Sequence, residues 1–164
     1  QDRRSHEEKS SRSKYKIGII GTRATINAGV YQEQIAQLGH HVQVFSTACP
    51  LFVPLAEEGW GGHKATKSIA QEYLKDFTKS KLDALVLGCT HYPLLKKVIH
   101  EVVGKDVRII SSADEVANEL SRDITDKECE GKDDRYFFSD STSRYKKIIK
   151  MIMGTQIDVE NKYF

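Results

Sequence analysis

Ile19-Ile20-Gly21 and Leu85-Val86-Leu87-Gly88 are unbroken apolar runs, each closed by glycine. A strand with one wet face alternates apolar and polar residues. A run without that alternation is buried on both faces, the pattern of a parallel sheet covered by helices. This requirement governs the reading of the rest of the chain. Lys16–Thr22 is the first strand, and Thr25 is placed to cap a helix in which Ile26, Val30, Gln34, Ile35 and Leu38 repeat at helical spacing until Gly39. His41–Ser46 alternates as a second strand, and Ala48-Cys49-Pro50 turns the chain. Phe52–Glu58 reads as a short helix ended by Gly59, Gly61 and Gly62, which form a joint. Ile69, Ala70, Tyr73, Leu74 and Phe77 mark one face of a helix from Ala65 to Thr78, after which Leu82–Gly88 is the third strand.

Pro93 suits the first turn of a helix that runs through Leu94, Leu95, Val98, Ile99 and Val102 to Gly104. Val107–Ile110 is a fourth strand, and Ser112 caps a helix through Val116, Ala117 and Leu120 with Asp114 and Glu115 in its positive first turn. Lys127–Asp134 is a charged loop, Arg135–Phe138 a strand, Ser143–Met153 a helix and Ile157–Val159 a last extended piece. Tyr136, Phe137 and Phe138 are assigned to the core rather than to a stacking platform. The expected fold class is α/β, an open parallel sheet with helices on both faces.

Composition limits the partners. The 164 residues are 39% hydrophobic and 29% charged, the balance of an ordinary globular protein with a sizeable core. Lys and Arg (25) nearly cancel Asp and Glu (23), and the basic stretch Arg3–Lys16 reads as a solvated leader, so no nucleic acid is expected. No window reaches the roughly 20 apolar residues of a membrane helix, and no apolar run follows the leader as a secretory signal requires, so the expected setting is cytoplasmic with no membrane partner. Three cysteines describe no disulfide framework and suit a reducing compartment. A chain opening at Gln1 without Met reads as the edge of a longer one.

In open α/β sheets, ligands bind outside the carboxyl ends of the strands. Three clusters fall there: Gly21–Thr25, Thr47–Pro50 and Gly88–Pro93. Cys89 follows a buried strand and precedes a helix start, where free N–H groups and the helix dipole favour an anion, which makes it the candidate nucleophile or proton carrier. Thr90 adds a hydroxyl and a backbone N–H suited to a carboxylate, and His91 can accept or supply a proton. The hydroxyls of Thr22 and Thr25 can face a small polar ligand. Cys49, followed by Pro50, reads as buried filler, Cys129 as an incidental thiol, and Glu57 and Glu58 as solvated charges at a helix end. Metal ligation by Cys89 and His91 with Cys49 or His63 lacks any zinc-ligand spacing, and Gly21–Thr25 matches no phosphate-binding glycine motif.

Ile19-Ile20-Gly21-Thr22 with Thr25, Ala48–Leu55 with Glu57-Glu58-Gly59, and Leu87-Gly88-Cys89-Thr90-His91-Tyr92-Pro93-Leu94-Leu95 together closely resemble the later part of the glutamate racemases. The likeness continues through Ser111–Asp114 and Phe137-Phe138-Ser139. It implies membership of the aspartate/glutamate racemase superfamily, with cofactor-independent interconversion of L- and D-glutamate for peptidoglycan precursors, cell-wall formation and cell shape. One thiol removes the α-proton on one face of the substrate while a second donates on the other. The resemblance makes Cys89 the second of those thiols, with Thr90 and His91 holding the substrate, Glu57 the acidic partner of His91, and Thr22 and Thr25 lining the pocket.

It also implies two similar α/β domains with the site between them. The Tyr-Gly and Gly-Asn-Thr-Cys motifs of the first domain are not found in these residues. The expected division is a leader or linker over 1–15, the second α/β domain over 16–111, and over 112–164 a returning segment that completes the first domain. Such a piece alone is expected to be inactive. Its uncovered apolar faces are expected to drive association, with the missing first domain or as a homodimer. Two further readings stay open: a carboxylate-binding regulatory domain without catalysis, and a one-thiol decarboxylase-like enzyme.

Overall fold

The computed structural model describes residues 15–37, 39, 41–124, 135–139 and 143–162. The expectations for the leader before Tyr15, for Leu38, and for the Lys127–Asp134 loop with Cys129 lie outside them. Four parallel strands, β1 (Tyr15–Gly21), β2 (Val42–Ala48), β3 (Ala84–Gly88) and β4 (Arg108–Ser111), form a sheet in the order β2-β1-β3-β4. The two unbroken apolar runs are its two central strands, and Ile19, Ile20, Leu85 and Leu87 are completely buried.

Helices flank both faces, as two glycines of β1 show. A Cβ on Gly18 would lie 2.5 Å from Leu82 and 3.3 Å from Phe77, whereas one on Gly21 would meet Thr25 at 3.1 Å and Ile26 at 3.4 Å. Positions 18 and 21 are an odd number apart and so face opposite sides of the strand. Phe77 belongs to α4 (Lys64–Ser80), which buries Thr66, Ala70, Leu74 and Phe77. Thr25 and Ile26 belong to α1 (Arg23–Ala28).

The first helix differs from its expected form. Thr22, not Thr25, is the cap, because its Oγ1 accepts from the Thr25 N–H at 3.2 Å. Gly29 then takes a left-handed conformation (φ 70°) that ends α1 and starts α2 (Val30–Ala36), so one expected helix becomes two short ones. After β2 comes α3 (Phe52–Glu57), and after β3 a four-residue 3-10 turn, Tyr92–Leu95, leads into α5 (Lys96–Val103). Phe52 makes edge contacts with Tyr73 and Tyr92, at ring-centroid distances of 5.4 and 5.3 Å, joining these elements in the core.

Ser111, rather than Ser112, caps α6 (Ser112–Asp123), and α6 buries none of its residues. Beyond it, β5 (Phe137–Phe138) pairs in parallel with β6 (Glu160–Asn161), and α7 (Ser143–Met153) lies between them in sequence. The last strand thus falls just after the expected Ile157–Val159. Phe137 is not a core residue: it is 42% exposed, with the Arg135 and Lys162 cations 5.0 and 5.2 Å from its ring centre. No helix of the described residues is long and apolar enough to cross a membrane.

Candidate active site

The register of the sheet puts the three strand ends in one row. Gly21 is paired with Ala48 on one side and with Gly88 on the other, so Thr22, Cys49 and Cys89 each leave the sheet at the same level. The Cys49 N–H donates to the Gly21 carbonyl at 2.8 Å, extending the row by one residue. Four of the six expected site residues, Thr22, Cys89, Thr90 and His91, stand within three positions of this row; Thr25 and Glu57 arrive on α1 and α3.

Thr22 and Thr25 place their hydroxyl oxygens 2.9 Å apart at the start of α1. Cys89 is half-buried and its thiol is free, while its carbonyl accepts from the Tyr92 N–H at 3.2 Å. Thr90 is exposed at the tip of this turn. The expected helix start after Cys89 is a 3-10 turn whose Pro93 lies within its first two positions. His91 precedes that turn, and its Nε2 lies 3.4 Å from the Glu57 Oε1, both side chains being partly buried. Glu57 therefore stands beside His91 rather than out in solvent, and the pair becomes ionic when the imidazole is protonated.

Cys49 occupies the neighbouring strand end in a different state. Its side chain is completely buried, and burial pushes its thiol up to about 12, so it stays protonated near neutrality. That matches the expected structural filler. Tyr92, to which the sequence reading gave no part, joins the two ends. Its buried hydroxyl donates to the Cys49 carbonyl at 2.8 Å. Burial first, then the nearby Cys49 and Cys89 thiols, hold this phenol above the ordinary tyrosine range, which keeps the donor proton in place. A tyrosine next to proline offers no signal of such a role; only the register brings positions 92 and 49 together.

No group of three or more His, Cys, Asp or Glu residues is arranged to hold a metal ion among the described residues. The strand ends thus carry a half-buried thiol on a central strand, a hydroxyl pair on the neighbouring strand end and an imidazole–carboxylate pair just after the thiol. A thiol, hydroxyls and an imidazole–carboxylate pair are groups suited to proton transfer. Such a thiol-bearing parallel α/β domain is the class of protein that fold and site define.

Comparison with known proteins narrows the class. Residues 6–120 match the Asp/Glu/Hydantoin racemase family, and the chain belongs to that family. It is similar to the glutamate racemase of Chlorobaculum tepidum, 42% identical over 151 residues, covering 88% of this chain and 56% of that one. The crystal structure of glutamate racemase isoform RacE1 from Bacillus anthracis superposes with a TM-score of 0.75 at 36% identity, covering 90% of this chain and 57% of that one. The glutamate racemase of Francisella tularensis, solved in complex with D-glutamate, gives 0.76 at 29% identity over the same shares. The chain thus spans little more than half the length of the relatives it matches.

Proposed function

We propose that this chain is the thiol-bearing half of a glutamate racemase, an isomerase that interconverts L- and D-glutamate without a cofactor. The observation that carries the reading is the strand-end row, in which Cys89 at the end of β3 stands level with Thr22 at the end of β1, with the Thr22–Thr25 hydroxyl pair beginning α1 and the His91–Glu57 pair following two residues after Cys89. In the proposed reaction the Cys89 thiolate takes the α-proton from one face of the bound amino acid, leaving a carbanion. A second acid on the opposite face returns a proton to the same carbon, and the two roles exchange in the reverse direction. Thr90, Thr22 and Thr25 hold the substrate, His91 steadies the thiol and substrate by charge, and Glu57 fixes His91.

In this reading residues 16–111 form the second racemase domain and 112–164 a segment that completes the first. The uncovered faces of α6 and α7 support that division, with Val116 58% and Ile152 59% exposed. The second acid belongs to the share of the relatives that this chain does not span. The product D-glutamate fits peptidoglycan precursor synthesis in the cytoplasm.

The test is α-proton exchange of glutamate in D₂O, followed together with optical rotation. It is run for this chain and for a longer polypeptide carrying the remaining share of a relative. Exchange with inversion is expected only in the longer form and is abolished by Cys89→Ser. Inversion that survives Cys89→Ser, or a longer form that leaves glutamate unchanged, overturns the proposal.

A further inference from the structure

Gly21 and Gly88 are directly paired across β1 and β3, and both lack the side chain that would otherwise fill the space above them. Thr25, Ile26 and Tyr31 use that space. Thr25 closes on Gly21, and over Gly88 a Cβ would lie 3.2 Å from the Tyr31 Cε2 and 3.5 Å from the Thr25 methyl. Tyr31, on α2, is thereby brought against the residue that immediately precedes Cys89. The Cε2 carbon is bonded to the ring carbon that bears the hydroxyl, so the phenol oxygen is close to the same contact. Tyr31 is only partly buried, and its hydroxyl makes no hydrogen bond among the described residues. The two threonine hydroxyls beside it, by contrast, are already bonded to each other.

A half-buried phenol held in place by its ring, with no partner among the described residues, is a ready donor for a ligand oxygen. We infer that Tyr31 is a substrate-binding residue of the Cys89 site, donating its O–H to a carboxylate oxygen of a small amino-acid dicarboxylate. The inference rests on the proposed racemase reading and adds a binding group that approaches from α2. The ring has a separate, structural part. It packs on Gly88, so removing only the hydroxyl leaves the packing intact and isolates the binding role.

The experiment uses this chain with L-glutamate as probe. Alkylation of Cys89 by iodoacetamide is followed by peptide mass mapping, which separates it from Cys49 and Cys129, and glutamate is titrated as a protectant. The wild-type chain is expected to be protected. Tyr31→Phe is expected to need roughly ten- to a hundredfold more glutamate for the same protection, the range of one lost hydrogen bond to a charged group. Its alkylation rate without glutamate should equal that of the wild type, which shows the site is still folded. If Tyr31→Phe is protected at the same glutamate concentration as the wild type, the inference is overturned and the racemase reading stands. If the wild-type chain is not protected at all, the inference falls, while the racemase reading is decided separately by the exchange experiment on the longer polypeptide. A purely structural tyrosine would give a wild-type Tyr31→Phe and a disturbed Tyr31→Leu, an outcome that also overturns the inference.

Discussion

The sheet with its flanking helices and the segment after Ser111 are built from similarly amphipathic sequence, yet the first closes off a core while the second, among the described residues, closes off only Ile149 of its apolar residues. Ile19, Ile20, Phe52, Leu74, Leu85, Leu87, Tyr92 and Ile99 are all closed off from solvent. After Ser111, Ile149 is buried, while Val116, Leu120, Ile124, Met151, Ile152 and Met153 are all more than 40% exposed. Helical periodicity reports which face of a helix wants cover, not whether these residues supply it. The C-terminal helices carry a stripe whose partner surface is not made by the sheet. Ion pairs such as Lys96–Asp114 at 2.7 Å fasten α6 from its rim instead.

The sharpest way to break this contrast is a matched pair of truncations. Leu87→Ala should cost about 2–5 kcal/mol in denaturant unfolding, since it empties a closed core position, whereas Leu120→Ala on α6 should change stability by less than about 0.5 kcal/mol. Equal costs would mean that α6 is covered after all.

A smaller effect separates the two regions by pH. Cys49 is held neutral by burial, its thiol pushed up to about 12 in the folded chain against 9.0 for a thiol in water. Below pH 9 the thiol is neutral folded or unfolded and its contribution is constant. Between those values the unfolded chain sheds the proton first, so stability falls as pH rises, by on the order of a few kcal/mol. Cys49→Ala should flatten that limb in melting experiments from pH 8 to 11. The exposed Arg135–Glu160 pair in the C-terminal segment, where the guanidinium holds the carboxyl below its usual range, should leave the alkaline limb untouched.

The smallest difference concerns single hydroxyls. Tyr92→Phe strands the buried Cys49 carbonyl and should cost about 1–2 kcal/mol. Tyr145→Phe, on the exposed α7, should be indistinguishable from wild type in the same unfolding measurement.

The sheet was legible because an unbroken apolar run leaves a strand no option but burial on both faces, and the strand-end rule then led to Thr22, Thr25, Cys89, Thr90 and His91. Glu57 was not legible from its own surroundings in sequence, where an acid at the end of a short helix looks solvated. Its place beside His91 comes from the packing of α3 on the 3-10 turn after β3. The Gly29 break was hidden because Ile26, Val30 and Ile35 keep helical spacing straight across it. Phe137 misled in the other direction: three aromatics in succession suggested a core, but position 137 lies on the exposed side of a two-residue strand, which leaves the ring to two cations. Tyr92 and Cys49 are 43 positions apart, and their bond depends on a register that local pattern does not encode.

β1 is hydrogen-bonded along both sides, by β2 from Tyr15 to Gly21 and by β3 from Ile17 to Gly21. In native-state hydrogen exchange its central amides should be among the last to open, with α6 and α7 exchanging well before them. The pocket hydroxyls begin one residue after this strand. The strand-end row is therefore anchored to the strand expected to open last, and it should persist while the C-terminal helices fray, dock or detach.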